Sequence, residues 1–202
     1  MAIDGARIVR AVMQGSATRD SKGIIPIFGV YLSLNYASYY NMLCFEFERI
    51  LRPKPQVQAV DLLIRAAQEC SYATFHGIRT SSEWDELVRP MIETETDQIE
   101  AFAAIAVALG WGDLKIKEIV PHEKLVIQAM SGYESDGYLL NYGKADSGKC
   151  FMLCGVTAGF MDLMYGPDYP DGCFTYKAQE KHCRAQGDPC CEFVAVKRIR
   201  ES

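Results

Sequence analysis

Apolar residues recur at helical spacing through the first half of the chain and give way to alternation near residue 113. Residues 4–14 form a short amphipathic run that predicts a helix, followed by a polar break through Lys22-Gly23. Ile24 to Leu34 is β-branched and aromatic around Pro26 and Gly29, which predicts extended chain. Helical spacing returns from Asn41 to Leu51 and stops at Arg52-Pro-Lys-Pro55, a clear punctuation mark. A long amphipathic helix is predicted from Val57 to about Ile78, with Val60, Leu63, Ala67 and Tyr72 near one face. A second starts behind Ser81 or Ser82, either of which can cap it, and Pro90 limits its far end. A third runs from Thr96 to Leu109 and ends at Gly110-Trp-Gly112.

Beyond that point the period is two. Leu114, Ile116 and Ile119, then Leu125, Ile127 and Ala129 after the Pro121-His-Glu-Lys124 turn, predict a hairpin. A short helix follows from Tyr133 and a longer one from about Lys149 to Tyr165. Two strands, Cys173–Ala178 and Cys191–Val196, close the chain, with Glu180–Cys190 as the loop between them. The expected organisation is a mainly helical part (1–112) and an α/β part (113–202), forming one compact α+β unit.

Charge and composition narrow the function classes. The net charge is −5 and no basic stripe is present, which argues against nucleic-acid binding by this chain alone. No apolar run reaches the ~18 residues needed to span a bilayer, and the first residues lack the apolar core of a secretory signal. The expectation is a cytoplasmic protein whose eight cysteines are reduced, favouring metal binding over disulfides.

Six of those cysteines fall in the last 53 residues of the chain. Glu180-Lys-His-Cys183 is followed after seven residues by Cys191, and Cys150 lies upstream where a helix is predicted. Three thiols and one carboxylate are the donor set of a closed, structural zinc site. Their ligation would leave about −2 of formal charge, and Lys149, Lys181 and Arg184 flank the ligands as candidate counter-charges. Neighbours in extended chain point in opposite directions, which disfavours His182 beside Cys183. Cys190 stays open as an alternative to Cys191. Cys154 reads as core, Cys173 as the spare thiol nearest the site, and Cys44 and Cys70 as small buried hydrophobes. None of His76, His122 and His182 sits in a nucleophile motif, so no catalytic residue is assigned. Gly155 and Gly159 share a helix face, where either a neighbouring element or a ligand cavity can approach closely.

Several strings together carry a family resemblance: Gly132-Tyr-Glu134, Cys150-Phe-Met-Leu-Cys-Gly155 through Gly159-Phe160, Glu180-x-x-Cys183, and Gly187-Asp-Pro-Cys-Cys191-Glu-Phe193. The stretch Ser131–Val196 resembles the 4-vinyl reductase domain family, which is related to the sensor domains of phenol- and xylene-responsive activators and to TRAPP-subunit-like folds. The resemblance implies a four-stranded antiparallel meander with surrounding helices and a structural zinc on Cys150, Glu180, Cys183 and Cys191. It also implies an apolar pocket for a hydrophobic or aromatic small molecule, with Met130, Phe160, Met164 and Tyr176 near it. A sensory or carrier domain is the leading expectation. A role in tetrapyrrole 4-vinyl reduction is an alternative, weakened by the lack of a G-x-G-x-x-G dinucleotide fingerprint. A protein-interaction module is another, and homodimerisation through the N-terminal helices is expected.

Overall fold

The computed structural model describes residues 3–53 and 58–199. It begins with helix α1 (Gly5–Ser16), hairpin strands β1 (Ile25–Ile27) and β2 (Val30–Leu32), and helices α2 (Ala37–Leu51) and α3 (Ala59–Arg79). A short α4 (Ser82–Leu87), a 3-10 turn and α5 (Asp97–Ala108) complete the first part. The second part comprises β3 (Gly112–Val120), β4 (Lys124–Gly132), α6 (Tyr133–Tyr142), α7 (Phe151–Tyr165), β5 (Tyr176–His182) and β6 (Cys191–Lys197). The Arg52–Pro55 break and Val57 fall partly or wholly outside the described residues.

Local chemistry accounts for the element ends. Asp4 accepts the Arg7 N–H at 2.9 Å to cap α1, and Ser81 accepts the Trp84 N–H at 3.1 Å to cap α4. The β1–β2 turn is two residues, Phe28 and Gly29, both left-handed with φ of 49° and 68°. That is the sense of turn whose twist suits a tight hairpin.

The α+β class stands: helices pack on a four-stranded antiparallel sheet. Its order, β3-β4-β6-β5, differs from a sequential meander, because β6 inserts between β4 and β5. Cys191 consequently pairs with Ala129 of β4 at one end of a central strand, and Glu180 lies opposite Phe193 across the β5–β6 ladder.

Helix α7 occupies the centre. All of its residues except Met152 and Met164 are buried, so it is apolar around its whole circumference. It touches α3 on one side and the sheet on another. The α3 contact depends on two glycines. A Cβ at Gly155 would strike the Ile64 carbonyl and lie 2.6 Å from Ala67 Cβ; one at Gly159 would lie 2.9 Å from the Gln68 carbonyl. The close neighbour of both is therefore a helix rather than a ligand cavity. Asp162 anchors the far end of α7, where its buried carboxylate accepts the N–H groups of Phe174 (2.9 Å) and Tyr176 (2.8 Å) and the Gln68 side-chain amide (2.6 Å).

Those Asp162 contacts explain one departure from the sequence pattern. They hold residues 172–175 in a turn, with Phe174 at φ 68°, so β5 begins at Tyr176 instead of Cys173 and extends to His182. Glu180 thus lies on a strand rather than in a loop. The stripe on α3 also differs: its buried side runs through Ala67, Ser71, Tyr72, Phe75 and Ile78, while Val60 is exposed. Leu63 turns toward a second small cluster around Phe45 and Phe151.

Gly155→Ala should destabilise the fold by about 3 kcal/mol, at the upper end of overpacking costs, despite alanine's better helix propensity. Urea unfolding measures this directly. A variant as stable as the parent would contradict the close α3–α7 contact.

Candidate functional site

Four donors from three separate places meet at the start of α7. Cys150 is the residue before its first turn, Glu180 comes from β5, Cys183 follows that strand, and Cys191 opens β6. One ligand atom from each lies within 4.8 Å of all the others, with the Cys150 and Cys191 sulfurs 3.5 Å apart. Sulfurs around a tetrahedral zinc at ~2.3 Å would be about 3.8 Å from one another, so the spacing fits such an ion.

The loops bring these donors together through backbone constraints. Cys183 donates its N–H to Asp188 at 2.8 Å, and Gly187 takes the left-handed φ of 98° that closes the 183–190 loop. The Ala145 N–H to Ala185 carbonyl bond (2.8 Å) ties the segment before α7 to that loop. Gly148 gives Glu180 room, since a Cβ there would lie 3.0 Å from the Glu180 carboxyl carbon and still closer to one of its oxygens.

The electrostatics of the cluster suit a cation. Glu180 Oε2 accepts the Cys150 N–H at 3.1 Å, whereas Oε1 is buried with no hydrogen-bond partner. Such an orphaned acceptor is costly unless something electropositive meets it. Burial, reinforced by Cys183, pushes the Glu180 carboxyl up to about 8. Hydrogen bonds from Cys150 and Cys183 hold the Cys191 thiol well below its usual range, assisted by the Arg184 N–H at 3.3 Å from its sulfur. Hydrogen bonds with Cys183 and then Cys191, together with burial, raise the Cys150 thiol.

The flanking cations do not serve the ligands as expected. Lys149 Nζ is buried and bonds both Glu48 oxygens (2.8 and 2.9 Å), tying α2 to the segment before α7. The Arg184 side chain goes to Asp136, and Lys181 reaches Gln179 on the surface. The electropositive support for sulfur comes from the Arg184 backbone amide. Among the remaining thiols, Cys154 is core, Cys190 is half-buried outside the quartet, and Cys173 is half-buried beside the 165–175 turn. Cys44 is buried, but Cys70 is exposed, so only the first is a core hydrophobe. His182 is exposed beside buried Cys183, as alternation requires.

Glu134 is a participant to which the sequence pattern assigns no role. Fully buried, it accepts the N–H groups of Met152 (2.9 Å) and Leu153 (3.2 Å) in the first turn of α7. Desolvation raises its carboxyl to about 8. An acid inside the Gly132-Tyr-Glu134 string, upstream of a helix rich in small residues, was the available signal.

A cavity of about 470 Å³ lies on the other side of this turn. Val12, Phe28, Ile78 and Ile105 line its buried part, with Trp111, Tyr40, Tyr133 and Met152 alongside and Tyr31 and Tyr36 exposed at the mouth. Met130, Phe160, Met164 and Tyr176 are not among its lining residues. Phe160 stacks edge-on against Phe75, which in turn meets Trp111, so it backs the wall. Tyr176 is buried, with its hydroxyl donating to the His122 carbonyl (2.8 Å). Met130 is exposed, and the Met164 sulfur sits 3.8 Å from the Arg79 guanidinium.

No family model matches the chain. The phenol regulator MopR of Acinetobacter guillouiae is 31% identical over 65 residues, which cover 32% of this chain and 10% of the regulator. The match therefore spans about a tenth of that protein's length. The phenol-responsive sensory domain of the transcription activator PoxR, solved with phenol, superposes over 98% of this chain and 92% of its own, with a TM-score of 0.73 at 15% identity. The chain has that sensory-domain fold. A trafficking protein particle complex subunit 3 from Naegleria fowleri, covalently bound to palmitic acid, shares it more loosely: TM-score 0.55, 12% identity, 81% of this chain and 95% of that one. A vinyl-4-reductase family protein from Methanocaldococcus jannaschii is also matched, at 14% identity over 95% and 93% of the two chains with a TM-score of 0.49. The likeness to phenol-sensor and TRAPP-subunit folds implied by the C-terminal motifs thus recurs, as shared fold, in the first two of these neighbours.

The protonation pattern gives a signed expectation. In the metal-free chain, Glu134 and Glu180 hold protons more tightly than when unfolded. Their contribution to stability is therefore full below about 4.5 and lost as pH rises through about 8. A metal entering the quartet must displace the Glu180 and thiol protons. Apparent zinc affinity should rise at least ~10-fold per pH unit between about 6 and 8, measured by competition with a chromophoric chelator. A flat profile would contradict ligation by this quartet.

Proposed function

We propose that this chain is a small-molecule-binding sensory domain, braced by a structural zinc ion, that accepts a hydrophobic or aromatic ligand in the cavity beside α7. The observation that carries the reading is the position of Met152. It lines the cavity two residues after Cys150 of the metal quartet. Recognition and the metal cluster therefore share one helical turn. The fold shared with a phenol-responsive sensory domain and the local identity to a phenol regulator support the same reading.

Zinc would be held by Cys150, Glu180, Cys183 and Cys191, supplying a rigid cross-link between β5, β6 and α7 with no open position for chemistry. A reducing compartment such as the cytoplasm suits eight cysteines that are all free thiols. Among the described residues no helix is long and apolar enough to cross a membrane. The partner face for a second copy is the outer side of α2, where Tyr39, Met42, Leu43 and Ile50 are exposed.

Native mass spectrometry of the purified full chain tests these assignments together. The expected result is a dimer carrying one zinc per chain, with added or co-purified aromatic molecules retained. A chain that takes up no zinc loses the metal assignment, monomers at micromolar concentration remove the α2 interface, and failure to retain any apolar ligand retires the sensory reading.

A further inference from the structure

The charge of the cavity wall determines what can enter it. Among the described residues, none lining this cavity is Asp, Glu, Lys, Arg or His. Several of its polar side chains already have neighbours to meet them. The Ser16 hydroxyl donates to the Met13 carbonyl at 2.9 Å, Asn35 lies 3.5 Å from Ser33, and the Thr74 hydroxyl sits 3.9 Å from the Cys70 sulfur. Tyr40 and Tyr133 meet edge to face with ring centres 5.5 Å apart. Glu134, next to Tyr133, has its carboxylate taken up by the Met152 and Leu153 amides. The N-terminus of α2 reaches the mouth at Ala37, but that residue is exposed, and water competes there for any anion.

Size points the same way. An apolar cavity of about 150 Å³ is enough to hold benzene, and this one has roughly three times that volume, about 470 Å³.

We infer that the cavity selects neutral apolar ligands bulkier than a single aromatic ring and excludes carboxylates. The inference rests on the cavity being the ligand site, as proposed above. An ionised carboxylate drawn into the buried end, among Val12, Phe28, Ile78 and Ile105, would exchange its hydration for a wall with no cation to meet it. A two-ring hydrophobe leaves no such charge behind and fills space that a lone ring cannot. Fatty-acid anions and propionate-bearing tetrapyrroles fall outside the accepted class.

Isothermal titration of the full chain at about pH 7.5 with phenol, 2-naphthol and 2-naphthoate separates the possibilities, because the two phenols are neutral there and the naphthoate is not. The expected order is 2-naphthol tightest, phenol ~10-fold weaker, and 2-naphthoate at least ~100-fold weaker. Thr74→Lys should place an ammonium on the wall and improve naphthoate binding at least ~10-fold, without improving naphthol. Ala108→Trp, from the cavity side of α5, should abolish naphthol binding in a chain that still melts cooperatively.

Naphthoate binding comparable to naphthol, in wild type, would overturn the charge selection while leaving the cavity as the ligand site. Phenol as tight as naphthol would overturn the size selection. Naphthol binding unaffected in folded Ala108→Trp would place the ligand elsewhere and overturn both. No binding by any of the three would instead remove the ligand-site reading on which the inference stands. The wild-type comparison decides the matter even if neither variant folds.

Discussion

Helix α7 is the constraint from which the rest follows. A helix with thirteen of its fifteen residues buried has no solvated face, so every neighbour must be shaped to it. Gly155 and Gly159 let the α3 backbone close on one side, and the sheet closes the other. Asp162 fixes the downstream end by gathering three donors onto one buried carboxylate. The upstream end is fixed twice: Glu134 takes two of the amides that a helix start leaves unpaired, and Cys150 belongs to the donor quartet.

That upstream turn is where the donor quartet meets the cavity. Met152 donates its N–H to Glu134 and also forms part of the cavity wall, while Tyr133, beside Glu134, lines the same space. Lys149 extends the connection to α2 through its buried pair with Glu48. Such a pair is weak evidence for stability, since removing two charges from water is expensive, but either partner alone would be strongly unfavourable. It therefore fixes where α2 sits. The proposed metal, the cavity and the proposed dimer face all bear on three consecutive residues, Lys149, Cys150 and Phe151, and the one that follows them.

The clustering of Cys150, Glu180, Cys183 and Cys191 was legible in sequence because their donor types and the family resemblance pointed to them together. Residue type alone left Cys190 open beside Cys191, whereas alternation along a strand separates His182 from Cys183. The α+β class was legible because the period of apolar residues changes near residue 113. The insertion of β6 between β4 and β5 was not, since two antiparallel strands leave the same alternating pattern in either order. Nor was the start of β5, which depends on Asp162, a residue distant in sequence that captures the Phe174 and Tyr176 amides. The cavity escaped for a related reason. Apart from Tyr133 and Met152 its wall comes from residues 12–111, where Val12, Ile78 and Ile105 carry only the signature of core. An apolar residue that faces a void and one that faces a neighbour look identical in a chain of letters.

Zinc K-edge X-ray absorption on the zinc-loaded full chain tests the central claim most directly. The account predicts three sulfur neighbours at ~2.3 Å and one oxygen at ~2.0–2.2 Å. A shell of nitrogen and oxygen alone, or one of four sulfurs, would show that Cys150, Glu180, Cys183 and Cys191 do not act together.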